Sequence, residues 1–141
     1  MANDPMIPGV DIPDCDHAGY KPVLVSDGDW MIAVMNGTED SWRVPAKLEK
    51  HPDTDELFVL VAGRAVMVSG GGGERPGSIT CAEMTSNVPY LVRAGTWHAT
   101  VPTPGARFII VERTGTNIGG SVAAELTDEQ MSQIALPEDG S

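Results

Sequence analysis

The stretch Glu49 to Gly63, "EKHPDTDELFVLVAG", places five side chains able to hold a metal within eight residues: Glu49, His51, Asp53, Asp55 and Glu56. Residues two apart in a strand point to one face, so Glu49 and His51 can look into the same space. "PDTD" then turns the chain, and Glu56 opens the next strand. A further imidazole, His98, follows the Ala94-Gly95 turn in "RAGTWHAT" and starts another strand. Two imidazoles with one or two carboxylates, carried on separate β segments, make up the ligand set of non-haem Fe, Mn, Zn, Ni or Cu sites. Asp53 and Asp55 are read as turn residues, with Asp55 able to support a ligand from behind. His17 stands in a Pro- and Asp-rich segment and is read as solvated.

These residues need a scaffold, and the text around them is that of a β protein. Residues 1–19 lack periodicity and read as an extended arm. Apolar runs at 22–25 and 30–35 are separated by "SDGD", a turn signal. Trp42 to His51 reads as extended, with Pro45 suiting an edge or bulge. Leu57 to Val68 is the strongest β segment, interrupted at Gly63 by a bend. Four more strands are expected at about 79–84, 88–93, 97–101 and 107–113. "SGGGGERPGS" at 69–78 is a loop; it lacks the Lys-Ser/Thr and the helix of a phosphate-binding loop. Only "ELTDEQMSQIAL" looks helical, with Thr127 as N-cap, Gln130 completing a capping box, and Leu126 and Met131 as a hydrophobic staple. Its apolar side docks on the domain or on a partner subunit. Eight or nine short strands with one terminal helix predict a sandwich or barrel.

The 141 residues suit one domain with a real core. A formal net charge of -11 argues against nucleic acid and against anionic membrane surfaces as partners. Cys15 and Cys81 are expected as free thiols of a reducing compartment. With neither a signal peptide nor a membrane-spanning run visible, a soluble cytoplasmic protein is expected.

The spacing around the histidines resembles the cupin superfamily. The family's first motif runs H-x-H, three or four residues, E, six residues, G; its second runs G, five residues, P-x-G-x-x-H. His51, Glu56 and Gly63 match the first from its second His onward, and Gly95 and His98 match the second in "NVPYLVRAGTWH". The resemblance, over roughly residues 20–114, implies a jelly-roll β-barrel with a metal at its mouth. It divides the chain into an arm (1–19), a cupin domain (20–118) and a tail with a short helix (119–141). Three positions depart from the pattern. Glu49 stands in place of the first His, so the implied ligands are Glu49, His51, Glu56 and His98. Glu49 is then a fourth ligand, or it orients a bound water or a His ring. A second carboxylate hardens the set toward Mn, Fe or Zn, with Ni or Cu as alternatives. Asn87 replaces the first glycine of the second motif and can keep a positive φ. Arg93 replaces the proline and is read as a solvated charge rather than an anchor for an anionic substrate. Phe58 and Trp97, beside the ligands, are read as core packing, as are Trp30 and Trp42.

The implied function is that of a divalent-metal-binding enzyme acting on a small polar organic substrate. Its chemistry is isomerase, epimerase or lyase chemistry, with Glu49 moving a proton, or O2-dependent oxidation. The alternative is a non-catalytic small-molecule-binding or interaction module with a structural metal. Leu57, Val59 and Val61 alternate with Phe58 and Leu60, so both faces of that strand are expected to be covered and a homodimer is expected.

Overall fold

A computed structural model of the chain describes residues 7–138, without the side chains of 117 and 118. Among these residues ten strands form two antiparallel five-stranded sheets. Sheet A has the order β1-β2-β9-β4-β7, with β1 Gly19–Val25, β2 Trp30–Asn36, β4 Glu56–Ala62, β7 Pro89–Val92 and β9 Arg107–Arg113. Sheet B has the order β10-β3-β8-β5-β6, with β3 Lys47–Lys50, β5 Ala65–Gly71, β6 Thr80–Glu83, β8 Trp97–Pro102 and β10 Val122–Glu125. Among the described residues there are also two short helices, α1 at Thr116–Gly119 and α2 at Asp128–Ser132. This is the all-β jelly roll with a short C-terminal helix that the sequence predicts.

The bend expected at Gly63 is where the chain changes sheets, so the long apolar stretch becomes β4 in sheet A and β5 in sheet B. Gly63 has φ 73°, and a Cβ there would lie 2.6 Å from the Ala106 Cα, so only glycine fits. Asn87 takes φ 64°, and its N–H donates to the Leu60 carbonyl at 2.7 Å, so the turn survives the loss of glycine. The predicted capping box is present at α2: Thr127 Oγ1 accepts from the Gln130 N–H at 3.1 Å, and Gln130 Oε1 accepts from the Thr127 N–H at 2.9 Å.

Several sequence readings need correction. The C-terminal segment is more than a helix: β10 pairs along β3, with Ala123 opposite Glu49. Its small side chains, "VAAE", lack the alternation that marks a strand. Of the extended stretch 42–51, only Lys47–Lys50 is strand. His17 is half-buried, its Nε2 2.8 Å from the Val34 carbonyl, so it ties the arm to β2. Arg107 helps in this, bonding the Asn36 side chain, the Cys15 carbonyl and Asp16 at 2.8, 3.1 and 2.8 Å.

The alternation of side chains builds two apolar clusters. Ala33, Phe58, Leu60, Phe108 and Ile110 face inward between the sheets. Leu48, Val66, Val68, Trp97 and Val101 face outward from sheet B, where Leu126 and Ile134 of the C-terminal segment cover them. On sheet A the outward side chains other than the buried Val34 stay open in the single chain. Leu57, Val59, Ile32, Ile109 and Val111 are half-exposed, and Leu91 and Trp30 are 47% and 51% exposed. Trp30 is therefore not the core residue its type suggests. Among the described residues no helix is long and apolar enough to cross a membrane.

Candidate metal centre

Strand register carries the four polar side chains to one place. Glu49 on β3 lies opposite His98 on β8. His51 follows β3 directly, and its carbonyl accepts the Gly95 N–H at 2.8 Å. Asp55 Oδ1 accepts the Ala94 N–H at 2.8 Å, tying the turn before Glu56 to the turn before His98. One ligand atom each from Glu49, His51, Glu56 and His98 then lies within 4.8 Å of all the others. His51, Glu56 and His98 are buried, while Glu49 is half-exposed and accepts from the Ser121 hydroxyl at 3.1 Å.

The hydrogen bonds decide what this group needs. His51 Nδ1 faces the Gly120 carbonyl at 3.2 Å and His98 Nδ1 faces the Thr96 carbonyl at 2.9 Å. A carbonyl only accepts, so both Nδ1 atoms carry hydrogen. In a neutral ring the Nε2 lone pair is then left pointing inward. Both Nε2 atoms stand 3.0 Å from the same oxygen, Glu56 Oε1. Lone pairs from two imidazoles and a carboxylate thus converge, and only a cation resolves that.

Without a metal the cation is a proton. The hydrogen bond to Glu56 outweighs burial and, with the charges of Glu56 and Glu49, raises the His51 pKa to about 9. Burial works against ionisation of Glu56, but its contacts with His51, His98 and Glu112 overcome it and hold its carboxyl down at about 2. The same residues also fit a divalent ion. Two donors at right angles, each about 2.1 Å from a shared ion, stand about 3.0 Å apart, which is the spacing of both Nε2 atoms from Oε1. Two nitrogens and two carboxylates are a borderline-to-hard set, suited to Zn, Mn or Fe more than to Cu(I). The cluster could therefore bind a metal.

The cluster opens on a cavity of about 530 Å³, with Met35, Phe58 and Ile110 on its apolar wall and Lys47, Thr100 and Ser121 among its polar lining. Phe58 both packs and lines: its ring meets His98 edge-on at 6.0 Å and Phe108 at 5.9 Å. Trp97 belongs to the outer cluster, its Nε1 donating to the Gly73 carbonyl at 2.9 Å and Lys50 lying 4.7 Å over its ring. Arg93 is 75% exposed and 3.7 Å from the Asp55 carboxylate, outside the cavity lining. Asp53 is exposed on the turn.

Among the lining residues absent from the sequence reading, Glu112 and Tyr20 stand behind Glu56. Glu112, only 3% exposed, lies beside Glu56 on the neighbouring strand and accepts a hydrogen bond from the Tyr20 hydroxyl. Burial, with the contact to Glu56, raises its pKa to about 7 against the opposing Tyr20 bond. Burial and the Glu112 contact push the Tyr20 phenol well above its ordinary value. One signal pointed to Glu112: in "RFIIVER" it follows Phe108 and Ile110 at the inward-facing period. Tyr20 carried no such signal.

No family model matches the sequence, and no curated protein does. Solved structures match at low identity. An oxalate decarboxylase structure aligns with a TM-score of 0.53 at 18% identity, over 80% of this chain and 30% of that one. A Klebsiella pneumoniae protein with a double-stranded β-helix domain aligns at 0.51 and 15% identity, over 77% of this chain and 86% of that one. Streptomyces PAC13, solved with uridine, aligns at 0.56 and 9% identity, over 81% and 85%. The chain spans under a third of the oxalate decarboxylase chain's length. At such identities the likeness is one of fold, and the fold is the double-stranded β-helix of the cupins.

Proposed function

We propose that this cupin-fold chain holds one divalent ion, Mn, Fe or Zn, through Glu49, His51, Glu56 and His98, and acts as an enzyme on a small polar organic molecule. What supports this reading is the meeting of two inward imidazole lone pairs at one buried carboxylate oxygen. When bound, the ion supplies Lewis acidity toward a substrate oxygen or, as iron, redox chemistry with O2. The chain's own groups do the rest. The Gly120 and Thr96 carbonyls fix the ring tautomers, leaving Nε2 free to ligate. Two carboxylates balance the charge of a divalent ion, so the site is close to neutral. Glu49, the most exposed of the four and held by Ser121, is the group placed to move a proton at the cavity side. Met35, Phe58 and Ile110 keep water from that wall of the cavity.

Two reaction classes suit this arrangement, proton transfer (isomerase, epimerase or lyase) and O2-dependent oxidation. They separate in one assay of the chain loaded with Mn(II), Fe(II) or Zn(II) and offered sugars and keto acids. Deuterium exchange into the substrate without O2 consumption, lost in Glu49→Gln, is the outcome for proton transfer. O2 uptake with the iron-loaded chain is the outcome for oxidation. Ligand binding with neither would overturn the enzyme reading in favour of a binding module with a structural metal.

The open outer face of sheet A is assigned to a second copy of the chain. Its centre is apolar, and its ends carry both signs, Arg113 with Asp29 at 3.7 Å and Arg107 with Asp16 at 2.8 Å. On a chain of net charge -11, such a balanced face is where two copies meet with least repulsion. Cys15 and Cys81, both free thiols, suit a reducing cytoplasm.

A further inference from the structure

Lys47 lines the cavity but has no part in the ligand cluster. It stands two residues before Glu49 on β3, so strand alternation turns it to the same face, toward the cavity. Glu49 lies opposite His98 on β8, and the next inward position of that antiparallel register brings Thr100 beside Lys47. An ammonium and a hydroxyl thus form a second polar row, about 7 Å from the ligand row, the length of two strand residues. Lys47 forms no ion pair with a described residue, Glu125 opposite it on β10 included. Its surroundings are otherwise acidic, because Glu49, Glu56 and Glu112 line the same cavity. A divalent ion offsets two of those carboxylates and Lys47 the remaining one, so an anion entering the loaded cavity meets no net repulsion.

We propose that Lys47 and Thr100 form a carboxylate subsite, so that the molecule bound at the metal is a short keto or hydroxy acid, its carboxylate on this row and its other oxygen at the ion. This rests on the metal reading above and names the substrate class for it. Such an acid carries one oxygen function at each end, and the cavity presents two matching poles about 7 Å apart, the ligand cluster and the ammonium. Between them the carbon chain lies against Met35, Phe58 and Ile110. A neutral sugar suits this cavity less well. It gives the ammonium no charge to pair with, and it lays hydroxyls against the apolar wall, where they lose their water without a partner. Lys47 is exposed, so solvent and salt screen the pair and its gain is that of one charge-assisted hydrogen bond in partial contact with water.

The probes are levulinate, whose ketone and carboxylate stand apart on a short carbon chain, and its methyl ester, which keeps the ketone and loses the charge. Binding of each to the full chain loaded with Zn(II) is measured by calorimetry, after the zinc content has been determined. The unaltered chain should bind the acid about tenfold more tightly than the ester. Lys47→Met, which keeps the length of the side chain, should bind the acid about tenfold more weakly while ester affinity and zinc content stay the same. Thr100→Val should weaken the acid by a smaller factor. No binding of levulinate, equal affinity for acid and ester, or an acid affinity that survives Lys47→Met would each overturn the carboxylate subsite and leave the metal reading standing. So would a Lys47→Met chain that loses acid and ester alike, because cavity shape rather than charge would then be at work. An unaltered chain that binds no zinc would overturn the metal reading together with this one.

Discussion

The two buried clusters of this barrel use the same strands in opposite ways. Along β3, Leu48 belongs to the cluster outside sheet B, while its neighbour Glu49 faces the cavity. Along β8, Trp97 faces outward and His98 inward. The outer cluster is apolar throughout and is sealed by the chain's own Leu126 and Ile134. The inner one is apolar at one end, where Leu60, Ala65, Ala106 and Phe108 are wholly buried, and ionisable at the other, where His51, Glu56, His98 and Glu112 gather. Burying ionisable groups costs stability unless they are paired. The outer cluster offsets that cost and clamps the two strands whose inner faces bear ligands. Stability and chemistry thus reside in different places: the first mostly outside sheet B, the second at the barrel mouth.

Substitutions in each cluster test that division. Trp97→Ala should have the largest effect, destabilising the chain by about 3–5 kcal/mol in urea unfolding. The loss should be nearly the same from acid to neutral pH, because no buried titrating group joins that cluster. A pH-dependent loss would show that the two clusters are not separable.

The mouth should respond to pH instead, in the metal-free chain. The His51 pKa rises from 6.5 to about 9 on folding, so its contribution is full below about pH 6.5 and is lost as pH climbs through 9. The Glu56 pKa falls from 4.5 to about 2, so its contribution is full above about pH 4.5 and is lost as pH drops through 2. Stability from this pair should therefore peak between about pH 4.5 and 6.5 and decline by on the order of 1–2 kcal/mol toward pH 9. Melts of chelator-treated protein check it, and the decline between about pH 7 and 9 should vanish in His51→Ala, whereas the raised pKa of Glu112, about 7, gives a separate decline between about pH 4.5 and 7 that stays. A flat alkaline limb in the unaltered chain would contradict the proton's place at the mouth.

The outer face of sheet A should respond least in stability and most in assembly. Ile109→Asp places a charge at the centre of that face and should turn a dimer into a monomer in sedimentation. The loss of monomer stability should be about 1 kcal/mol or less, as for half-exposed sites away from the core. A chain that is monomeric before the substitution would leave that face without its assigned partner.

How far the site was legible follows from the range of its signals. His51, Glu56 and His98 stand next to turns, and period-two alternation shows which way each side chain points. The Gly63 bend was equally local, since a glycine inside an apolar run marks a bend, and a Cβ at that position would lie 2.6 Å from the Ala106 Cα. What escaped depends on contacts between distant segments. Tyr20 and Glu112 are 92 residues apart and meet only because β1, β2, β9 and β4 are neighbours in that order. β10 is held by pairing with β3 rather than by its own small side chains. His17 binds a backbone carbonyl, which no side-chain pattern announces.

The central claim is that two imidazoles and their carboxylates share one cation, and its most direct test is the metal content of the purified chain. Elemental analysis after loading and desalting should find close to one divalent ion per chain, and none in His51→Ala or His98→Ala. Full metal content in both variants would contradict the claim and leave the ion, and the chemistry, to some other part of the barrel.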